Sequence, residues 1–227
     1  MYVPHITDST FQIHRHVLYP DLQHAVNPNK GEKNMYVVAV NGSPRKGGNT
    51  EILLRKALEP IAEAGHETDY LQVGGTRIRG CTACGACGRM KNRRCVMEDD
   101  IFNLAFAKML DADAILIGSP SYFANLSAET KALIDRAGYV ALANGGLLRR
   151  KIGAAVSAER RGGGVHVMDS INHLFLICEM IVPGSTYWNF GMGTAPGDVL
   201  TDEESLRNMQ NLGEQIAWLF GLMEDHV

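Results

Sequence analysis

MYVVAVNGSPRKGGNT, residues 35–50, holds the most information about architecture in this chain. Its first six residues form an unbroken apolar run that stops at Asn41-Gly42, so the strand they predict has both faces buried, as in a parallel sheet. A glycine-rich loop follows. Asn49 or Thr50 then stands where a helix cap is expected, and Ile52, Leu53, Ala57, Leu58 and Ile61 recur at helical spacing before Gly65.

The same alternation continues along the chain. His66–Val73 reads as a second strand, Asp99–Leu110 as a short helix, Ala112–Gly118 as a buried strand ending in SPSYF, and Ser127–Ala143 as a helix. Ile152–Ser157 is the expected fourth strand, His166–Met180 a helix and Ile181–Trp188 the fifth strand. Thr201 with Glu204 three residues on predicts a capping box opening a last helix to about Leu222. Strands alternating with helices imply an α/β fold, a right-handed, doubly wound five-stranded parallel sheet with helices on both faces. One domain over residues 35–227 accounts for it. Residues 1–34 read as a polar N-terminal arm holding four of the eight histidines, with no compact ligand spacing.

Composition narrows the function. With 45% hydrophobic and 21% charged residues, the chain has the balance of an ordinary globular protein, and a net charge of −3 gives no bulk attraction for nucleic acid. No apolar run is long enough to span a bilayer, and the first twenty residues lack a signal-peptide core, so no membrane and a reducing cytoplasm are expected.

In a doubly wound sheet, ligands sit beyond the carboxyl ends of the strands where strand order reverses, so those loops carry the chemistry. In residues 41–50 the glycines turn amides inward, Ser43 and Thr50 offer hydroxyls, Arg45 offers a fork of donors, and the helix dipole adds positive charge. This is a phosphate cradle. It is not a nucleotide P-loop, because Gly48-Asn49 replaces the Lys-Ser/Thr pair, and G-x-G-x-x-G is absent, so a terminal monophosphate fits best. Pro120-Ser121-Tyr122-Phe123 makes a wall for a flat ring. Ala158–Gly164 follows the fourth strand, and its three glycines permit close backbone approach.

Cys81, Cys84, Cys87 and Cys95 fall within fifteen residues, CTACGACGRMKNRRC. The first three have the C-x2-C-x2-C spacing of bacterial ferredoxins, which points to one iron–sulfur cluster. Zinc ribbons need a longer spacer between knuckles, and a disulfide framework leaves one cysteine over, so both fit less well; redox-active thiols are the other alternative. Arg77, Arg79, Arg89, Lys91, Arg93 and Arg94 surround the thiols, either to offset cluster charge or to dock an acidic carrier. Cys178 is expected to be a buried small hydrophobe.

NGSPRKGGNT, the cysteine run closing in C-x3-D-D (Cys95 to Asp99-Asp100), and GSPSYFANLSAETKALIDR (118–136) together resemble the flavodoxin-like NADPH-dependent FMN reductases, and the four cysteines resemble the iron–sulfur flavoproteins among them. One departure is Gly48, where many members carry Ser. The resemblance implies FMN phosphate on Ser43, Arg45, Asn49 and Thr50. It places the ring along Pro120, Ser121, Tyr122 and Phe123, with Glu159, Arg160, Gly163 and Gly164 on the third loop. It also implies a [4Fe-4S] cluster on Cys81, Cys84, Cys87 and Cys95, and an FMN-dependent oxidoreductase passing electrons from ferredoxin or NAD(P)H to an acceptor. A homodimer or homotetramer goes with it. Two other functions stand beside this one: a cluster-free NAD(P)H-dependent FMN or quinone reductase, and a non-catalytic redox sensor or electron carrier.

Overall fold

The computed structural model describes residues 34–224, so the expected arm lies, apart from Asn34, outside the described residues. The chain alternates as β1 (Tyr36–Asn41), α1 (Asn49–Glu63), β2 (Glu67–Gln72), α2 (Ala86–Met90), α3 (Phe102–Asp111), β3 (Ala114–Pro120), α4 (Ala128–Ala143), β4 (Ile152–Glu159), α5 (Gly164–Ile177), β5 (Phe190–Met192) and α6 (Glu203–Glu224). The sheet is parallel throughout in the order β2-β1-β3-β4-β5, the flavodoxin-like winding, which reverses between β1 and β3. β3 and β4 are buried along their whole length, because the faces of the sheet carry two separate apolar layers. Phe102, Phe106, Leu133 and Phe175 anchor the layer beneath α3, α4 and α5, whereas Leu53, Leu54, Ile216 and Phe220 anchor the one beneath α1 and α6. Among the described residues no helix is long and apolar enough to cross a membrane.

Two expected boundaries are corrected. Ile181 makes a single bridge to Ile152, and the chain then leaves the edge at Pro183, which has no N–H to give a ladder. It rejoins when Asn189 O accepts from Ser157 N at 2.8 Å, so β5 is Phe190–Met192 and not Ile181–Trp188. The last helix is capped by Asp202, not Thr201. The Asp202 carboxylate accepts from Ser205 N at 3.1 Å, while Thr201 ends a 3₁₀ turn over Asp198–Thr201. Cys178 is buried as expected, and burial pushes its thiol pKa up.

Candidate functional site

The loop after β1 is shaped before anything binds to it. Asn41 Oδ1 accepts from Ser43 N at 2.9 Å, and its Nδ2 donates to Tyr70 Oη at 2.8 Å and Gln72 Oε1 at 3.0 Å. Gln72 donates in turn to the carbonyls of Ser43 and Gly74. Burial, ahead of the Glu51 carboxylate nearby, pushes the Tyr70 hydroxyl up to about 12. From the other side, Ser127 caps α4 and donates to Gly42 O at 2.7 Å. A Cβ on Gly42 would lie 1.8 Å from Thr130 Oγ1, so only glycine lets α4 come this close. No side chain caps α1 at Gly48, and its first turn is left facing the cleft between the strand ends.

That cleft, about 270 Å³, is where the strand-end loops meet. Ser43, Arg45, Asn49 and Thr50 line it from the first loop, Pro120, Ser121 and Tyr122 from the second, and Glu159 and Arg160 from the third. Three expected residues stand off its wall. Phe123 has a φ of +49° in the tight Tyr122–Asn125 turn and is fully exposed. Gly163, at φ +97°, lets its loop pass Ser121 and Ala124, and Gly164 N donates to the buried Glu159 carboxylate. Asn49 lines the cleft with its amide already engaged, donating to Ala195 O at 3.0 Å and accepting from Gly197 N at 2.9 Å. Arg45 Nη1 likewise reaches Thr194 O at 3.1 Å.

Those contacts reveal a fourth wall, Gly193, Thr194 and Pro196, that sequence reasoning missed. The signal was the glycine and proline cluster GTAPG, residues 193–197, directly after β5.

The second site lies on the loop after β2. Cys81, Cys84, Cys87 and Cys95 line one cavity of about 70 Å³ together with Arg136 and Tyr139 of α4. The loop curls through left-handed residues, Ala83 at φ +52°, Gly85 at +68°, Lys91 at +47° and Arg93 at +60°, three of which are not glycine. Such turns hold only where contacts impose them. Asn103 brackets Cys95, accepting from its N–H and donating to its carbonyl, both at 2.9 Å, and Asn144 accepts from Arg93 N at 3.1 Å. The five cysteines are free, and among the described residues no three metal-ligating side chains gather tightly enough for a single ion. The thiols surround a volume. Ala83 N donates to Cys81 Sγ at 3.4 Å, and the Ala86 amide holds the exposed Cys84 thiol below its usual pKa. The basic residues are not all free to face the thiols: Arg77 and Arg79 share Asp99, Arg94 pairs with Glu98, and Arg89 donates to Cys84 O at 2.9 Å.

Residues 35–195 match the family of NADPH-dependent FMN reductases. An iron-sulfur flavoprotein of Methanocaldococcus jannaschii is 38% identical over 197 residues, covering 84% of this chain and 100% of that protein. Another, of Methanosarcina thermophila, is 35% identical over 192 residues, covering 84% and 96%. In three dimensions an NAD(P)H:quinone oxidoreductase from Methanothermobacter marburgensis superposes with a TM-score of 0.60 at 15% identity over 81% of this chain and 98% of its own, a likeness of fold. The family match over most of the chain, together with a polar cleft at the switch point of a flavodoxin-like sheet, makes this protein a member of the NADPH-dependent FMN reductase family, an FMN-dependent flavoprotein oxidoreductase.

Proposed function

We propose that the protein is an iron–sulfur flavoprotein that converts electron pairs to single electrons, holding FMN in the cleft and a [4Fe-4S] cluster in the cysteine cavity. The observation that carries this reading is the gathering of all four cysteines around one cavity, on the loop that follows the strand next to β1. Their donor set suits the cluster, since four thiols around a volume match a cubane better than a single ion. Ser43, Arg45, Thr50 and the uncapped first turn of α1 would hold the FMN phosphate, Arg45 exchanging Thr194 O for it. Asn49 holds the 193–197 segment over the site. Pro120, Ser121 and Tyr122, with Glu159 and Arg160 of the third loop, would hold the ring. Bound FMN supplies redox chemistry in two-electron or one-electron steps, and the cluster supplies one-electron steps.

α4 ties the two sites together. Its first turn touches Gly42, and Arg136 and Tyr139 line the cysteine cavity, about 9 to 14 Å further along its axis by helical rise. Ferredoxin or NAD(P)H is the donor in this reading, and the exposed Arg89, Lys91 and Arg93 favour an acidic carrier. Exposed Tyr122, Phe123 and Met192 beside the cleft favour assembly as a homodimer or homotetramer, and five free thiols suit a reducing cytoplasm.

Iron, sulfide and FMN assayed after reconstitution without oxygen test the reading. About four iron per subunit with FMN is expected, whereas less than about one, with flavin and reductase activity intact, leaves the cluster-free NAD(P)H-dependent reductase standing.

A further inference from the structure

Arg136 is 1% exposed, the largest fully buried side chain among the described residues, and it sits mid-way along α4 in the wall of the cysteine cavity. We infer that Arg136 is the positioning residue of that cavity, clamping both ends of the 81–95 loop to one guanidinium.

Nη1 donates to Arg79 O, two residues before Cys81, at 3.2 Å, and Nη2 donates to Met97 O, two residues after Cys95, at 2.9 Å. Nη1 also pairs with the Asp100 carboxylate, whose side chain is 0% exposed. Asp100 in turn accepts from Arg79 N at 2.9 Å and Phe102 N at 3.1 Å, so the ion pair grips Arg79 by both its N–H and its carbonyl. The guanidinium stacks 4.1 Å from the Phe102 ring centroid, which fixes its plane. A buried ion pair is a poor way to gain stability, since well-packed apolar residues of the same volume serve as well or better. It is a good way to join backbone groups from two ends of a loop, because the planar fork holds several acceptors at once and lysine's point charge does not. Nε, buried and without a hydrogen-bond partner, leaves one donor over in a side chain that lines the cavity. A thiolate or sulfide there would be a fitting acceptor, and that last step alone rests on the cluster reading.

The test uses the full chain with FMN bound and no metal, following iodoacetamide alkylation at each cysteine by mass spectrometry. Cys84, already exposed, and Cys178, buried in the core, are internal references. Arg136→Lys should alkylate at Cys81 and Cys95 roughly tenfold faster than wild type while Cys84 and Cys178 are unchanged, as expected when a local opening loses a charge-assisted hydrogen bond. Equal rates at Cys81 and Cys95 in the folded variant overturn the clamp. If Cys178 also becomes reactive, Arg136→Gln with Asp100→Asn removes the pair as a unit and is judged by the same rates. In protein loaded with iron and sulfide, Asp100→Asn should shift the cluster midpoint potential upward, because the guanidinium loses its counter-charge; a simple brace leaves it unmoved. A wild type that takes up no iron defeats the cluster reading, and the alkylation rates still decide the clamp.

Discussion

The 42–50 loop and the 81–95 loop both hang from the carboxyl ends of neighbouring strands, yet they are held by different means. The first is shaped by its own neighbourhood: Asn41 reaches two residues on, Gln72 and Tyr70 lie on the adjacent strand, and the axis of α1 begins where the loop ends. The second bends through Ala83, Lys91 and Arg93 at positive φ and depends on Asn103, Arg136 and Asn144, which reach it from later helices or their ends. The backbone turn of the first loop is set once β1 and β2 pair, and Ser127 of α4 and the segment after β5 then complete its walls. A loop held from a distance is ready only when the whole α3–α4 layer has packed, so its thiols respond to changes far away in sequence.

The sharpest way to break this contrast is Cys87→Ser. If the proposed cluster and FMN assignments hold, iron content and transfer to a one-electron protein acceptor should be lost while FMN stays bound, because the cleft shares no side chain with the cysteine cavity; loss of both cofactors, read by iron assay and flavin absorbance, shows that the loops are not independent. Next comes Arg45→Ala. Losing a charge-assisted pair to phosphate should weaken FMN roughly ten- to hundredfold and leave iron untouched, with riboflavin a poor ligand for wild type. Calorimetric titration measures it, and FAD binding more tightly than FMN sinks the assignment.

Gly74→Ala probes the point where the loops touch. A Cβ there would lie 2.3 Å from Ser43 C and 2.4 Å from Gly42 C, against backbone that cannot yield cheaply. Stability should fall by about 1–3 kcal/mol, and FMN affinity with it, although residue 74 belongs to the chain entering the cysteine loop. Urea unfolding and FMN titration read the two effects.

Acid should separate the regions more gently. Burial works to raise the Asp100 pKa, but hydrogen bonds from Arg136 and from the amides of Arg79 and Phe102 outweigh it and hold the carboxyl below its usual value. The stability it contributes is therefore present above its unfolded pKa of about 3.9 and is lost as pH falls through the folded value. Below about pH 4, urea unfolding should show the gap between wild type and Asp100→Asn closing. The smallest effect is expected from starting the chain at Met35. Met35 is 6% exposed and its carbonyl accepts from Glu67 N at 2.8 Å, so β1 should keep its register and FMN should be retained. Loss of flavin-loaded protein gives residues 1–34 a part in the site.

Much of this is legible in the sequence. Continuous apolar runs mark β1, β3 and β4 because strands buried on both faces need no polar face, and all four walls of the cleft but the last sit directly after such runs. β5 was misplaced by the apolar stretch from Ile181, since apolarity says nothing of whether Pro183 can enter a ladder. The Asp202 cap competed with an equally good pattern one residue earlier.

By itself the sequence determined the winding of the sheet, the glycine-rich, hydroxyl-bearing loop after β1 and the clustering of four thiols, because period, glycine placement and cysteine spacing act over a few residues. Tertiary structure alone decided that Asn49 and Arg45 meet the segment after β5, that Phe123 turns away from the cleft, and that Arg136 closes the cysteine loop. The first and last depend on residues tens of positions apart meeting, whereas Phe123 is set by the tight Tyr122–Asn125 turn, and a buried arginine becomes legible only when its acceptors can be seen.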